Sequence, residues 1–113
     1  MDTQKTNLEI SVKELKKRLD NGDSLYILDI REPQELAIAK LNNSGHIPMS
    51  ELGQRFTELD HLKDREVIVY CRSGGRSANC VRFLRQQGFD HAINLTGGIL
   101  AWSDEIDPST PKY

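Results

Sequence analysis

Cys71 heads the stretch Cys71-Arg72-Ser73-Gly74-Gly75-Arg76-Ser77, directly behind the apolar run Val67-Ile68-Val69-Tyr70. A thiol attacks as its thiolate, and these residue types are the ones that stabilise a thiolate. Two adjacent glycines allow dihedrals that other residues resist and leave their amide N–H groups uncovered by side chains. A loop of that kind can curl into a nest whose donors converge on one point, in line with the positive end of a following helix. With arginines nearby, such surroundings bring a cysteine pKa from about 8.5 into a range of roughly 3.5–7.5. The same donors would hold a persulfide anion on Cys71, or an oxyanion presented to it. The candidate site is therefore Cys71 as nucleophile, with Arg72, Ser73, Gly74, Gly75, Arg76 and Ser77 as its anion-binding cradle. A cysteine that merely fills space at a strand end would explain the thiol, but not two arginines flanking two glycines.

The loop needs a strand before it and a helix after it, and the pattern supplies both. Glu66 to Tyr70 reads as a buried strand, and Ser77 to Gln87 as a helix ended by Gly88, with Cys80, Val81 and Leu84 facing inward. Upstream, Leu8 to Ile10 is a short strand, followed by a helix with Ser11 as N-cap, Glu14 at N3 and an apolar stripe of Val12, Leu15 and Leu19. Leu25 to Ile30 is a second strand, apolar enough to be covered on both faces. Pro33 starts a short helix over Glu35 to Ala39, and residues 42–45 form a turn. His46-Ile47-Pro48 is a brief third strand stopped by its proline, and Leu52, Phe56 and Leu59 mark another helix. Ala92 to Leu95 is the last strand, and Gly97-Gly98 turns the chain into a helix containing Leu100 and Trp102. Alternating strands and helices predict an α/β fold, a mostly parallel five-stranded sheet with helices on both faces.

The chain has 113 residues, enough for one domain with a real core and too few for two. That domain spans residues 1–113, with its core over about 8–103 and loose ends at 1–7 and 107–113. Fifteen basic and seventeen acidic residues are scattered, giving a net charge of −2 and no basic stripe, which argues against nucleic acid as a partner. No apolar run approaches 18 residues and the N-terminus has no apolar core of a signal, so neither a membrane span nor export is expected. A cytoplasmic location follows, and there Cys71 and Cys80 are expected to be thiols rather than a disulfide. No C-x-x-C occurs and His46, His61 and His91 are far apart, so no metal site is expected.

The stretch VIVYCRSGGRSA resembles the active-site loop of the rhodanese (thiosulfate sulfurtransferase) superfamily. LDIREPQE, GHIP and GFDHAINLTGGILAW agree with the same family in the same order, over roughly residues 8–103. The resemblance implies a three-layer domain of single-domain rhodanese type. It also implies a sulfurtransferase that accepts sulfane sulfur on Cys71 as a persulfide and passes it to cyanide, a thiol or a sulfur-carrier protein, with no cofactor. Its donor would be a small molecule such as thiosulfate, or a persulfide-carrying protein. Carried over by position, the backbone from Arg72 to Ser77 cradles the persulfide, and Arg72 and Arg76 face the anion. The stretch from Pro33 to Asp60 is similar to the rhodanese-like domains fused to adenylyltransferases, which points towards a protein acceptor. Cysteine-based phosphatases and arsenate reductases share the layout but use C-x5-R; here Cys71 and Arg76 stand in C-x4-R, a loop better sized for one sulfur atom than for a phosphoryl group. A rhodanese-like module that only docks partners is the other reading, and it would not need the nucleophile that this chain keeps.

The remaining polar residues read as scaffold. Asp29 and Arg31, at a strand end, tie neighbouring loops together. His46 is a hydrogen-bonded structural histidine, since a preformed thiolate needs no general base. Cys80 is a buried structural thiol rather than a resolving one, and Trp102 is core.

Overall fold

The computed structural model describes residues 7–113. Residues 1–6, within the end expected to be loose, lie outside the described residues. Five strands, β1 (Glu9–Ile10), β2 (Leu25–Asp29), β3 (Ser44–His46), β4 (Glu66–Tyr70) and β5 (Ala92–Leu95), form one sheet in the order β1-β5-β4-β2-β3. Every pairing is parallel. The helices are α1 (Val12–Asp20), α2 (Pro33–Leu36), α3 (Met49–Arg55), α4 (Gly75–Gln86) and α5 (Gly98–Glu105), with a 3-10 segment at Phe56–Leu62 after α3.

The alternation of β4 divides its side chains between two cores. Val67, Val69 and Cys71 enter one, with Leu52 of α3, Leu59 and Leu62 of the 3-10 segment, and Val81 and Leu84 of α4. Ile68 and Tyr70 enter the other, with Val12 and Leu15 of α1 and Ile99 of α5. A strand buried on both faces has no polar side to display, which is why it reads as a continuous apolar run. The layers thus set Cys71 on the α3/α4 side, one residue beyond the end of the central strand.

Elements differ from the sequence expectation where tertiary contacts take over. Leu19, expected in the apolar stripe of α1, is 38% exposed, and only Val12 and Leu15 of that helix are buried. The expected single helix through Leu59 changes to 3-10 at Phe56; Phe56 and Leu59, three apart, share a face in that tighter helix as well. The third strand sits earlier, pairing Ser44, Gly45 and His46 with Ile27, Leu28 and Asp29, and the N–H of Ile47 still donates to the Asp29 carbonyl at 3.1 Å. The short helix after Pro33 ends at Leu36 rather than Ala39, and Trp102 is only half-buried against the α1/α5 core. Segment 107–113, expected to be loose, is docked. Ser103 Oγ donates to the Thr110 carbonyl at 2.7 Å, Lys112 pairs with Asp104, and the Tyr113 hydroxyl reaches Arg31 and Glu35.

The carboxyl ends of β2 and β4 are fastened by a fully buried ion pair. Asp29 and Arg31 are both 0% exposed. Asp29 Oδ2 accepts from Arg31 Nη2 at 2.7 Å and from the Tyr70 hydroxyl at 2.8 Å, while Oδ1 accepts from the Arg31 N–H and Nε, each at 3.0 Å. Arg31 Nη2 also donates to the Ala39 carbonyl at 2.7 Å, and its guanidinium lies 5.5 Å from the Tyr70 ring centre. The scaffold role expected of this pair is the one observed. Removing one partner would strand a buried charge. Arg31→Ala should therefore lower stability by about 3–5 kcal/mol in urea unfolding; a loss below about 1 kcal/mol would contradict this account.

Candidate active site

The sheet delivers Cys71 to the start of α4, where backbone donors meet it. After β4 the chain turns through Arg72 and Ser73 to Gly74, whose φ of 106° is left-handed. Gly74 is the N-cap of α4, which therefore starts two residues before the expected Ser77. A glycine N-cap has no side chain to accept from the first helical amides, and those amides have no partner within the helix. Cys71 fills the gap: its Sγ accepts from the Gly74 N–H at 3.1 Å, the Ser77 N–H at 3.4 Å and Ser77 Oγ at 3.3 Å. The sulfur caps the helix, and negative charge on it faces the positive end of α4.

Burial and these donors oppose one another. Cys71 is 1% exposed, and burial pushes its thiol up. The Ser77 hydroxyl and the N–H groups of Ser77, Gly74 and Ser73 outweigh that effect, leaving the thiol below its ordinary value. Ser77 has one hydroxyl proton and three acceptors in reach: Cys71 Sγ, the Gly74 carbonyl at 3.3 Å and Asn94 Oδ1 at 2.5 Å. Asn94 is fixed in turn, because its Nδ2 donates to Glu9 and to the Gly74 carbonyl at 3.2 Å. Of the three, a bond to a charged Sγ is the charge-assisted one.

The loop's other wall is α5. Its first amides cap the loop, Ile99 N–H donating to the Cys71 carbonyl at 3.0 Å and Leu100 N–H to the Arg72 carbonyl at 3.1 Å. Contact this close requires glycine at 98: a Cβ there, at φ +60°, would lie 2.5 Å from both carbonyl oxygens. Gly97 and Gly98 thus serve the tight turn beside the site, as expected.

The two arginines are engaged elsewhere than the resemblance implied. Arg76 makes a bidentate pair with Glu35, at 2.8 and 2.9 Å, instead of facing the thiol. Arg72 turns to Tyr113, its guanidinium 5.2 Å from the ring centre and its Nε donating to the Tyr113 main-chain oxygen at 2.5 Å. The charge of Arg76 still acts at the site, since a Cys71 thiolate raises the pKa of that guanidinium, after the larger effect of Glu35. Glu35 is a site residue that pattern reading placed only in a short helix; its position within LDIREPQE was the available signal. The Glu32 N–H also donates to Glu35, at 3.0 Å. His46 Nε2 lies 2.6 Å from the Arg31 carbonyl, a structural contact, and Cys80 is 3% exposed among apolar neighbours, with burial pushing its thiol to about 11.

Two pH effects follow. Ser77→Ala removes the largest of the effects that lower the Cys71 pKa, so the midpoint of Cys71 alkylation by iodoacetamide should move to higher pH. An unmoved midpoint would leave the hydroxyl without that role. Glu35 is held down to about 2, first by Arg76. Its pairing therefore contributes above the ordinary carboxylate range and is lost as pH falls through about 2. In Glu35→Gln the acid limb of a stability profile should flatten; an unchanged limb would deny Glu35 a share in it.

The sequence matches the Rhodanese-like domain family over residues 11–105. A sulfurtransferase of Allochromatium vinosum is 39% identical over 95 residues, covering 84% of this chain and 87% of that protein. An adenylyltransferase and sulfurtransferase of Zea mays is 35% identical over 109 residues, covering 92% of this chain but 23% of the maize protein. The crystal structure of a rhodanese-like domain protein from Staphylococcus aureus superposes with a TM-score of 0.80 at 30% identity, covering 95% of this chain and 99% of that one. With a cysteine capping the helix at the end of the central parallel strand, and a family match over most of its length, this chain belongs to the rhodanese-like domain family.

Proposed function

We propose that the protein is a sulfurtransferase that carries sulfane sulfur on Cys71. The observation that carries this reading is the convergence of the Gly74 and Ser77 N–H groups and the Ser77 hydroxyl on one sulfur at the end of α4. In the first step the Cys71 thiolate attacks the outer sulfur of thiosulfate. A new S–S bond forms, the S–S bond of thiosulfate breaks, and its electron pair leaves with sulfite. Cys71 is left as a persulfide anion, and three negative charges stand on each side of the step. In the second step the acceptor attacks the terminal sulfur: cyanide leaves as thiocyanate, and Cys71 returns as a thiolate. No proton has to move at Cys71 in either step, so the lowered pKa replaces a general base.

The cradle has a role in both steps. Charge passes from Sγ to the terminal sulfur and back, and the Gly74 and Ser77 N–H groups at the start of α4 are the donors placed to follow it. Arg76, although paired with Glu35, still places positive charge near the sulfur, and C-x4-R leaves room for one sulfur atom rather than a phosphoryl group. The maize relative joins an adenylyltransferase to its sulfurtransferase, which supports a sulfur-carrier protein as the acceptor here. A persulfide-carrying protein is the matching alternative to thiosulfate as donor, and the cytoplasm, where thiols stay reduced, suits the chemistry.

Intact-protein mass spectrometry after thiosulfate treatment tests the reading. The protein should gain one sulfur, about 32 Da, with the gain stripped by cyanide and absent in Cys71→Ser. No gain from thiosulfate or from a protein persulfide would sink the catalytic reading in favour of a docking module.

A further inference from the structure

We propose that Glu35 is a specificity-determining residue: by pairing with Arg76 at the Cys71 loop it disfavours doubly charged sulfur donors such as thiosulfate and leaves the site to donors of lower charge, the persulfides of thiols. The inference rests on the sulfurtransferase reading above and narrows its donor. Neither loop arginine stands open to an incoming anion. Arg72 donates through Nε and Nη2 to the Tyr113 main-chain oxygen, and Nη1 and Nη2 of Arg76 donate to the two Glu35 carboxylate oxygens, at 2.8 and 2.9 Å. An anion arriving at the loop meets Arg76 and Glu35 together, a pair with no net charge. The Cys71 thiolate then repels it, and the repulsion grows with each charge that the donor carries.

The carboxylate is fixed independently of Arg76. The Glu32 N–H donates to Glu35 Oε1 at 3.0 Å, and the Tyr113 hydroxyl donates to Oε2 at 2.8 Å. That hydroxyl accepts in turn from the buried Arg31, at 2.7 Å. The Glu35 side chain is only 14% exposed, whereas that of Arg76 is 38% exposed, so the cation that Glu35 masks is one that solvent and solutes can reach. Two parallel N–H bonds to a carboxylate already held in place are a strong form of ion pair, and a small anion gains little by displacing it. Donor charge therefore matters at this loop. Thiosulfate brings two negative charges, and a thiol persulfide anion brings one. With the persulfide the exchange is otherwise the same: a new S–S bond forms to Cys71, the S–S bond of the donor breaks, and its electron pair leaves on the thiolate. Two negative charges stand on each side of that step, where thiosulfate places three.

Three probes of rising charge test this: uncharged iodoacetamide, singly charged iodoacetate and doubly charged thiosulfate, each followed by mass at Cys71. Glu35→Gln keeps the shape of the side chain and unmasks Arg76. Dividing each rate by the iodoacetamide rate cancels any change in the thiolate fraction. One charge at about 6 Å in water is worth roughly threefold for each charge on the probe. The iodoacetate ratio should therefore rise about threefold in Glu35→Gln, and the thiosulfate ratio about tenfold. When Arg76→Gln is added to Glu35→Gln, both gains should vanish. Arg76→Gln alone leaves the carboxylate unpaired and should lower both ratios below those of the unsubstituted protein. Ratios that stay constant or fall in Glu35→Gln, or gains that persist without Arg76, would overturn the proposal. A Glu35 that only braces the fold would change all three rates by one factor and leave the ratios unmoved. Were neither thiosulfate nor a protein persulfide to leave sulfur on the unsubstituted protein, the function proposed above would fail, and the iodoacetate ratio would still decide whether Glu35 masks Arg76.

Discussion

The buried pair of Asp29 and Arg31 is the constraint on which the site end of the molecule depends. Two opposite charges without solvent are a poor source of net stability, because desolvation offsets their attraction. What they supply is geometry. A buried guanidinium has five N–H donors to satisfy, and Arg31 meets that demand with β2, the Ala39 carbonyl after α2 and the Tyr113 hydroxyl. Asp29 draws in the Tyr70 hydroxyl, and the N–H of Ile30 donates to the Tyr70 carbonyl at 3.2 Å. The end of β4 is thereby fixed from below, one residue before Cys71.

From that fixed point the sulfur is positioned by helix ends. α4 lacks a side-chain N-cap and α5 begins on the Cys71 and Arg72 carbonyls, so both helices leave their positive ends at the loop. Each helix would be poorly terminated without it: α4 needs an acceptor and finds sulfur, and α5 needs acceptors and finds the loop's carbonyls. The arrangement that stabilises a thiolate is the same one that completes the fold.

The two cysteines show how local the effect is. Cys71 and Cys80 are both almost wholly buried, and burial raises both thiols. Cys80, inside α4 and beyond its first turn, meets no free amides, and its thiol stays protonated. Cys71 stands at the helix start and meets several. Nine residues along one loop and helix separate a thiol held below its ordinary value from one pushed above it, and no difference in exposure is involved.

Much of this was legible in the sequence. The apolar runs of β4 and β5 appear with the bounds the structure gives, because a strand buried on both faces tolerates few substitutes and so announces itself. The glycines around Cys71 announced a turn, and the thiol's reason for being there could be argued from them. The start of α4 at Gly75 could not, because glycine is a weak helix former and Gly74 has no side chain to mark the cap. Nor could the partners of Arg72 and Arg76 be read. Glu35 lies 41 residues from Arg76, and Tyr113 lies 41 from Arg72 and 82 from Arg31. Sequence determined which residues could do the chemistry, since local residue types set what a loop can bind. Which charge each arginine meets is decided only when parallel strands bring distant segments to one end of the sheet, because an ion pair depends on distance in space and leaves no period in the chain.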